Sequence, residues 1–497
     1  MRPNEIFSLN LLDVKFLIGA TSTTSDQDLA LIIATGAAHS DSEIENGDVF
    51  LAFSGLKKHG AIFSDSAQAR GAVARVTDIE GVRVESTLPT LVVSDARIAG
   101  AIVAASLYRN PTRDLVSIGI TGTNGKTTVS TLIFQIFEMA GRDSGLIGTV
   151  ETRIGKDVIA SKRTTPEASE LQALVATMRE RHVRNLVMEV SSHAISLNRV
   201  KGSHFSFLGF TNLSQDHLDF HNTMEEYFQV KASLFTYEYG GSAFINIDDP
   251  YGARLASNCE LPVRTLARLN PKALWHFVHI YSGLQGSGIA IRGVGGILIE
   301  TTTQLRGDYN LDNLLMAVAI AYECGIDPLD MAAIIPRIAG PVGRLEAIDL
   351  GQPFGALIDY AHSPDAVESV LKSARSFSSH RIIAVLGCGG DRDASKRPLM
   401  GAALQRGSDV AIFTSDNPRS ENPATIISQM QEGLTLKAQS IAIEDRASAI
   451  NYAVEIAEPG DVVLILGKGH EKGQDIGGVV TPFDDRLVLA RAIEAKK

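Results

Sequence analysis

Cysteine, tryptophan and long apolar runs are scarce in this chain. Its 497 residues include three cysteines and one tryptophan, and the formal net charge is −11. Cys259, Cys324 and Cys388 match no metal-binding spacing, so we expect free thiols in a reducing compartment rather than a disulfide framework. The excess of acidic residues argues against nonspecific binding to nucleic acids or anionic membranes. It does not argue against an anionic small substrate, because local lysines and arginines decide that.

No segment has the pattern of a signal peptide or a membrane span. Asp13 and Lys15 interrupt the apolar residues near the N-terminus, and the longest apolar run, 98–108, is too short to cross a bilayer. The sequence therefore indicates a soluble, cytoplasmic protein with no membrane partner, which we expect to be a monomer. Its length predicts about three domains, each with its own core.

A glycine-rich turn between a predicted strand and a predicted helix is the most informative motif. Residues 119–128 read Gly-Ile-Thr-Gly-Thr-Asn-Gly-Lys-Thr-Thr and precede a helical pattern over 129–140. Glycines let backbone N–H groups converge on phosphate oxygens, and the helix N-terminus adds a favourable dipole. Lys126 would contribute charge to the phosphates and Thr127 a hydroxyl for Mg²⁺. The motif predicts a nucleotide site, although Ile120 replaces the usual first glycine and a plain glycine turn is the alternative.

Two further residues are candidate metal or phosphate contacts. Glu189 follows the apolar strand pattern 185–188, where a carboxylate beside a phosphate loop is placed to hold Mg²⁺. A solvated glutamate at a strand end is the alternative. His217 lies in the run that follows the predicted strand 205–210. It is a candidate for a second metal or a phosphate, or else a structural hydrogen-bonding residue.

Lys231 occupies an unusual place in the helical pattern 224–235. Its neighbours one turn away on both sides are apolar: Tyr227, Phe228, Leu234 and Phe235. Residues three and four apart share one helix face, so this lysine should point with the apolar side chains. Burial disfavours the charged ammonium form, and we expect a neutral amine able to react. A lysine whose charged end reaches solvent is the alternative.

Three weaker signals have ordinary structural alternatives. Residues 164–167, Thr-Thr-Pro-Glu, are typical of a helix entry with capping hydroxyls and proline in the first turn, or of a ligand contact. Asn310 could cap the helix that follows it, whereas Asn313 could offer its amide to an adenine edge. Residues 41–43 form either a ligand-contacting turn or, as composition favours, a solvated one.

From about residue 343 the sequence alternates between strand and helix patterns. Antiparallel strands are expected before this region, near 262–303, and the strands predicted within it are 356–358, 382–386, 410–414, 440–443 and 462–466. Strand–helix alternation predicts an α/β fold with a mostly parallel, doubly wound sheet, whose functional loops gather at the strand C-ends.

Several motifs in one order give the chain a family resemblance. Between about Tyr108 and Arg486 it resembles the Mur ligases, specifically the MurE type, the UDP-N-acetylmuramoyl-dipeptide ligases of peptidoglycan synthesis. The motifs are Thr-Gly-Thr-Asn-Gly-Lys-Thr-Thr (121–128), Glu-Val-Ser-Ser-His (189–193), Asn-Leu-Ser-Gln-Asp-His-Leu-Asp (212–219), Gly-Arg-Leu-Glu (343–346), Asp-Tyr-Ala-His (359–362), Gly-Asp-Arg-Asp (390–393) and Gly-Lys-Gly-His-Glu (467–471).

The resemblance implies three domains and an ATP-driven amide-forming reaction. The implied domains are a UDP-substrate-binding domain at 1–111, a central P-loop ATPase domain at 112–342 and a Rossmann-like amino-acid-binding domain at 343–497. The γ-phosphoryl of ATP would pass to a glutamyl carboxylate of the substrate, and the incoming amine would then displace phosphate from the acyl phosphate.

The resemblance also assigns roles residue by residue. Implied catalytic residues are Lys126, Glu189, His217 and Lys231, the last as a lysine carbamylated by CO₂. Implied nucleotide contacts are Gly122, Thr123, Asn124, Gly125, Lys126, Thr127, Thr128, Asn310, Asn313, Arg344 and Asp359. Implied Mg²⁺ ligands are Thr127, Glu189, His217 and Lys231. Implied contacts to the UDP-muramoyl peptide are Ser42, Thr164, Thr165, Ser191 and Arg199.

The segment Asp416-Asn417-Pro418-Arg419 resembles family members that add meso-diaminopimelate rather than lysine. A guanidinium fork at Arg419 can hold the distal carboxylate that diaminopimelate has and lysine lacks. Further implied acceptor contacts are Arg392, Asn417, Gly467 and Glu471. An Asx–Pro turn with a solvated arginine is the alternative.

Departures from the family pattern lie mostly near the N-terminus. The family's Asp-Ser-Arg is Asp-Ser-Glu at 41–43, its Gly-His pair is Gly-Leu at 55–56, and its Asp-Gly is His-Gly at 59–60. Leu197 stands where a glutamine is usual. Rival functions are the same ligation with lysine or another amino acid, a folylpolyglutamate-type ligase, a weakened homologue, and a nucleotide-regulated protein that only hydrolyses ATP.

Overall fold

The structure, a computed structural model, describes most of the chain and divides it into two compact units. The described residues are 1–55, 58–218, 220–283, 286–378 and 380–497. Leu56 and Asp219, which belong to motifs discussed above, lie outside them. The first unit comprises 1–122, 133–213 and 217–265, and the second comprises 123–132, 214–216 and 266–497. Among the described residues, no helix combines the length and apolar character needed to cross a bilayer.

The first unit begins with a parallel sheet in the order β3-β4-β5-β6. The elements of this part are β1 (Leu9–Asn10), α1 (Leu11–Leu17), α2 (Asp26–Leu31), β2 (Ile33–Ala34), β3 (Gly36–Ala38), β4 (Asp48–Ala52), α3 (Ser64–Ala69), β5 (Ala74–Thr77), β6 (Thr90–Val92) and α4 (Ala96–Leu107). The run Gly-Ala-Val-Ala-Arg-Val at 71–76 predicts a short strand, but β5 begins only at Ala74. Gly71 instead ends α3, with φ of 106° and its N–H donating to Gln68 O at 2.9 Å.

The first unit continues with a larger sheet whose centre is parallel. In chain order its elements, with α5, are β7 (Val116–Thr121), α5 (Lys126–Met139), β8 (Ser144–Ile147), β9 (Glu151–Ile154), β10 (Asp157–Ala160), α6 (Ala168–Glu180), β11 (Asn185–Glu189), α7 (Ser192–Ser196), β12 (Phe205–Phe210), α8 (Met224–Ala232), β13 (Gly240–Asn246), α9 (Pro250–Asn258) and β14 (Val263–Ala267). The order is β10-β9-β8-β11-β7-β12-β13, and β7 pairs in parallel with both β11 and β12. Parallel pairing brings the C-ends of β7, β11 and β12 to one edge of the sheet.

The second unit contains the antiparallel strands expected near 262–303. Its first elements are β15 (Trp275–Gly283), β16 (Gly286–Arg292), β17 (Leu298–Thr303), α10 (Asp308–Glu323) and α11 (Pro328–Ile334). β15, β16 and β17 pair antiparallel, while the last residues of β14 pair with β15 in parallel. Trp275 is fully buried at the start of β15.

The second unit ends in the predicted doubly wound sheet. Its elements are β18 (Glu346–Ala347), β19 (Gly355–Asp359), α12 (Pro364–Phe377), β20 (Ile382–Cys388), α13 (Lys396–Gly407), β21 (Val410–Ser415), α14 (Pro423–Met430), β22 (Ile441–Ala442), α15 (Arg446–Glu455), β23 (Val462–Leu466), β24 (Gly473–Ile476), β25 (Val479–Pro482) and α16 (Asp485–Lys496). The order is β18-β19-β23-β20-β21-β22, parallel except for β18. Separate apolar clusters cover its two faces, one with α12, α13 and α14 and the other with α15 and α16. The α/β prediction is confirmed, whereas the hairpin β24–β25 was not predicted.

Candidate active site

The glycine-rich turn lies where the sequence predicted it, between β7 and α5. Gly122 and Gly125 have φ of 143° and 88°, which residues with side chains rarely adopt. A methyl group on Gly122 would overlap the Thr211 hydroxyl, and one on Gly125 would overlap Asn313 Oδ1. Helix α5 begins at Lys126 and not at Val129 as predicted, since the apolar periodicity starts one turn inside the helix. The helix N-terminus therefore follows the glycines directly, which suits an anion.

Side chains of the turn fix its shape. Thr123 Oγ1 donates to Ser214 O at 3.3 Å and accepts from Ser214 N at 3.0 Å. Asn124 Nδ2 donates to Ser214 Oγ at 3.4 Å. Lys126 Nζ donates to Thr123 O at 2.9 Å, so the cationic end lies along the turn. The Lys126 cation and the N-terminus of α5 make this segment suited to phosphate.

Glu189 is buried, which contradicts the alternative of a solvated strand end. Its side chain is at the end of β11, level with Ile120 of β7, and only 1% exposed. Both carboxylate oxygens accept hydrogen bonds from Thr149, at 2.7 Å from the backbone N and at 3.0 Å from Oγ1. A buried carboxylate in a fixed orientation offers the oxygen ligands that a hard cation prefers.

Lys231 is buried as its helical position predicted. It is 1% exposed, so the alternative of a solvent-reaching lysine is wrong. Nζ donates to Gly122 O at 2.9 Å and to Thr121 Oγ1 at 3.4 Å, and it lies 4.8 Å from the centre of the Tyr227 ring. The amine of α8 is thereby directed at the end of β7, where the glycine-rich turn begins.

His217 lies in a cluster of aromatic and imidazole rings. Its ring is 4.8 Å from that of His193 and 6.3 Å from that of Tyr227. His221 stacks on Tyr227 at 5.0 Å and is 1% exposed. Sequence reasoning missed His193 and His221, although both stand in or next to motifs that it singled out.

Residues predicted to hold the muramoyl peptide form one hydrogen-bonded group. Thr149 Oγ1 lies 3.0 Å from Thr164 Oγ1, which links this group to Glu189. Thr165 Oγ1 donates to Glu189 O at 2.8 Å, Ser191 N donates to Thr165 Oγ1 at 3.2 Å, and Arg199 Nη1 donates to Thr165 O at 3.3 Å. The structure therefore brings Thr164, Thr165, Ser191, Arg199 and Glu189 together.

The predicted helix entry at 164–167 is displaced. α6 begins at Ala168 with Glu167 as its N-cap, so neither threonine caps it and Pro166 precedes its first turn. The backbone N–H of Glu167 donates to Glu170, which completes the cap. The Glu167 side chain also pairs with Arg199 at 2.9 Å and with Arg97 at 3.3 Å.

The N-terminal candidate Ser42 is not part of that group. It is exposed in a 3₁₀ turn, Asp41–Glu43, and its Oγ lies 2.8 Å from Ser40 Oγ. Its neighbour Glu43 pairs with Lys162 at 3.0 Å. Burial opposes ionisation of Glu43, but the hydrogen bond and the charge of Lys162 keep its pKa below the ordinary value. Glu43, Lys162 and Arg163 line a cavity of about 300 Å³.

Two predicted nucleotide contacts of the second unit, Arg344 and Asp359, lie just before β18 and at the end of β19. Asp359, at the end of β19, accepts from Leu345 N and Ala361 N, each at 2.8 Å. Burial raises the Asp359 pKa, while the charge of Arg344 opposes that rise. The Arg344 guanidinium lies 4.8 Å from the centre of the Tyr360 ring.

Asn310 and Asn313 both lie inside α10. The helix begins at Asp308 after Gly307, so Asn310 is not its cap, and Asn310 Nδ2 donates to Arg306 O at 3.0 Å. The buried Oδ1 of Asn310 has no hydrogen-bond partner among the described residues. Asn313 packs against Gly125 of the glycine-rich turn.

The acceptor candidates gather at the C-ends of β20, β21 and β23. Arg419 has φ of 50°, its N–H donates to Asp475 O at 3.0 Å, and its carbonyl accepts from Gly477 N at 2.7 Å. Arg419 Nη1 donates to Gly390 O at 2.5 Å. An added methyl on the neighbouring Gly389 would lie 3.1 Å from Arg419 Nη1 and 3.6 Å from Arg392 Cγ, so both guanidinium side chains flank this loop.

The remaining acceptor candidates adjoin this loop. Asn417 Nδ2 donates to Glu471 Oε2 at 2.8 Å. A methyl on Gly467 would lie 2.7 Å from Asp416 Oδ2. Burial raises the Asp416 pKa, and the nearby Arg446 opposes that rise. Asp416 to Arg419, Arg392, Gly467 and Glu471 thus form one group, held by the unpredicted hairpin.

Comparisons with known proteins identify related ligases. Residues 120–321 match the model of the Mur ligase middle domain, and residues 343–469 match that of the Mur ligase glutamate ligase domain. The chain is similar to the UDP-N-acetylmuramoyl-L-alanyl-D-glutamate–2,6-diaminopimelate ligase of Streptomyces coelicolor, with 45% identity over 99% of this chain and 98% of that protein. The ligase of the same name from Corynebacterium efficiens is 43% identical over 96% of this chain and 92% of that protein. A solved structure of a ligase of that name has a TM-score of 0.71 and 29% identity, covering 98% of this chain and 99% of that one.

Proposed function

This chain belongs to the Mur ligase family, and we propose that it joins meso-2,6-diaminopimelate to UDP-N-acetylmuramoyl-L-alanyl-D-glutamate at the expense of ATP. The observation that carries the proposal is 45% identity, over nearly the full length of both chains, to a ligase named for that reaction. The acceptor group around Arg419 supports the choice of amino acid. The product would be a peptidoglycan precursor lengthened by one residue, together with ADP and phosphate.

We propose that the chain has three functional regions. Residues 1–111 would bind the UDP moiety, 112–342 the ATP, and 343–497 the amino acid. The matched middle and C-terminal family models support the second and third regions. The parallel sheet β3-β4-β5-β6 supports a separate N-terminal fold.

The chemistry begins with transfer of the γ-phosphoryl group to the glutamyl carboxylate. We propose that residues 122–128 bind the phosphates, with Lys126 neutralising charge as it develops. Asn310, Asn313, Arg344 and Asp359 would contact the rest of the nucleotide. Asn310 Oδ1, which accepts no hydrogen bond from any described residue, is an acceptor suited to that role. The amine of diaminopimelate then attacks the acyl carbon, phosphate leaves, and positioning supplies much of the rate.

We propose that Thr127, Glu189, His217 and Lys231 hold Mg²⁺. The donors fit a hard cation, because Glu189 is a buried carboxylate and Thr127 a buried hydroxyl. When bound, Mg²⁺ would neutralise phosphate charge during transfer. Thr164, Thr165, Ser191 and Arg199 would orient the muramoyl peptide, with Ser42 near the UDP moiety.

Lys231 would join this set as a carbamate. Its neutral amine adds to CO₂, a nitrogen–carbon bond forms, one proton is released, and the product is an oxygen-bearing anion. Burial of Lys231 supports this proposal, because desolvation favours the uncharged amine that the addition needs.

Mass spectrometry of the reaction product tests the proposed function. Purified protein receives Mg²⁺, ATP, bicarbonate and UDP-N-acetylmuramoyl-L-alanyl-D-glutamate with either diaminopimelate or L-lysine. We expect a product lengthened by diaminopimelate and ATP turnover that requires both substrates. A lysine product at equal efficiency would refute the acceptor choice, and ATP turnover without any product would indicate a nucleotide hydrolase instead. We also propose that the protein is a cytoplasmic monomer whose partners are small molecules and not nucleic acids or membranes. Sedimentation of the purified chain tests the oligomeric state.

A further inference from the structure

A buried lysine lies behind the acceptor group without belonging to it. Lys468 follows β23 and its side chain is fully buried. Nζ donates to Asn417 Oδ1 at 3.0 Å, to Glu471 Oε2 at 3.0 Å and to Gly473 O at 2.7 Å. An ammonium group has three N–H donors, so all of them are used inside the protein. Lys468 is therefore not available to bind a ligand directly.

The two side chains that it contacts are orientated by that contact. Asn417 Oδ1 accepts from both Lys468 Nζ and Asp475 N, the latter at 3.0 Å, which leaves the amide nitrogen to face Glu471. Asn417 Nδ2 donates to Glu471 Oε2 at 2.8 Å. Within the described residues, both hydrogen bonds that the Glu471 side chain accepts end on Oε2. Oε1 is thus the oxygen directed away from this network.

We infer that Lys468 is a positioning residue for the amino-acid substrate. It holds Asn417 and Glu471 so that Glu471 Oε1 and the second Asn417 N–H meet the ammonium and carboxylate groups of one end of the acceptor. This inference rests on the proposed function, because it deepens the description of the same amino-acid site. It assigns a role to a residue that itself makes no substrate contact.

Electrostatics supports the geometry. Burial alone would raise the Glu471 pKa, but Lys468, through its charge and its hydrogen bond, and the bond from Asn417 lower it. Among the described residues, further ionisable groups that interact with Glu471 include His470, Tyr360, Asp416 and Arg446. Without Lys468 the carboxylate would keep its burial and its neighbour Asp416 but lose its nearest cation. Its pKa would then rise, and the carboxylate would take up a proton at a higher pH than in the wild type.

Lys468→Met is the first test variant, since methionine fills similar space without a donor. We expect the KM for diaminopimelate to rise at least tenfold, while the KM values for ATP and the UDP substrate change less than twofold. That KM should also become more pH-dependent than in the wild type, rising more steeply as the pH falls from 7 to 5. A variant that merely lost folded protein would show a lower kcat with unchanged KM values and pH profile.

A second comparison asks whether Lys468 acts through Glu471. In a Glu471→Gln background, Lys468→Met should raise the diaminopimelate KM by less than a third of the factor that it causes in the wild-type background, because the carboxylate that Lys468 orientates is gone. If the double variant instead raises the diaminopimelate KM by the product of the two single-variant factors, the inference is wrong. Lys496→Met is the matched control: this lysine of α16 donates to the carbonyls of Val454, Glu455 and Ala457, away from the acceptor loops.

Each outcome is decisive. If Lys468→Met is insoluble, Lys468→Gln, which keeps a donor and removes the charge, undergoes the same KM and pH measurements. An unchanged diaminopimelate KM, or equal rises in all three KM values, refutes the positioning role. A wild-type enzyme that makes no diaminopimelate product refutes the proposed function instead, before any variant is compared.

Discussion

Replacing Arg419 by alanine should weaken diaminopimelate binding and leave L-lysine binding unchanged. The Arg419 backbone is fixed from both sides by the hairpin β24–β25, through bonds to Asp475 O and Gly477 N of 3.0 and 2.7 Å. The substitution therefore removes the guanidinium from a backbone that stays in place. Diaminopimelate carries a distal carboxylate that the guanidinium can bind, and L-lysine does not.

The expected size follows from the type of bond. A hydrogen bond to a charged group contributes about 1.5–3 kcal/mol, which corresponds to roughly a 10- to 150-fold rise in the KM for diaminopimelate. Arg419→Lys keeps the charge but loses the planar fork, so its KM should lie between those of wild type and Arg419→Ala. The assay is steady-state phosphate release at saturating ATP and UDP substrate, with each amino acid titrated in turn.

L-Lysine serves as the internal control. Arg419 also donates to Gly390 O at 2.5 Å, so its removal could disturb the loop that carries Arg392. Such a disturbance would raise the KM of both amino acids by similar factors, and that result would refute direct recognition of the distal carboxylate. Arg406→Ala, an exposed arginine 3.5 Å from Glu368 on the same sheet domain, should change neither KM.

Three further predictions follow from the same structure. Gly125→Ala should raise the ATP KM at least about tenfold, because φ is 88° and the added methyl would overlap Asn313. The control Gly141→Ala, with φ of 72° and open space around it, should lower the stability by only about 1–2 kcal/mol. An unchanged ATP KM in Gly125→Ala would contradict the close packing. Ligase activity should fall in CO₂-depleted buffer and return with bicarbonate, and Lys231→Arg should be inactive under both conditions; activity indifferent to bicarbonate would exclude a functional carbamate. Asp485→Asn should lower the free energy of unfolding in urea by about 3–5 kcal/mol, because it leaves the Arg446 charge buried without its partner 2.7 Å away, while Glu368→Gln in an exposed pair should cost at most about 1 kcal/mol.

Local patterns predicted the parts of the site that local physics determines. The burial of Lys231 followed from apolar residues one helical turn away on either side. β23 begins and ends at the predicted residues because five apolar residues between polar ones are typical of a central parallel strand. The glycines of the phosphate turn were recognisable because their backbone angles exclude other residues.

Other features depended on long-range contacts or on a signal that was overlooked. The Glu43–Lys162 pair joins residues 119 positions apart, and no local pattern indicates such a partner. The hairpin β24–β25 was overlooked although Gly477 and Gly478, with φ of 61° and 81°, form a recognised turn signal between apolar residues. The helix entry near Thr164 was misplaced because the capping glutamates Glu167 and Glu170 were not considered as a pair.

The acceptor site combines glycines that permit close backbone packing with charged side chains that select the substrate. A methyl on Gly390 would overlap Pro418 O, and one on Gly387 would lie 2.8 Å from Asp416 N. These loops therefore pack more closely than any residue with a side chain would allow, and their backbones have little freedom to move. Because positions of charged groups then vary little, exchange of one side chain, such as Arg419 or Lys468, should alter amino-acid recognition without reshaping the loops. Substitutions at Gly387 or Gly390 should instead impair every amino acid equally, which separates the supporting backbone from the residues that confer specificity.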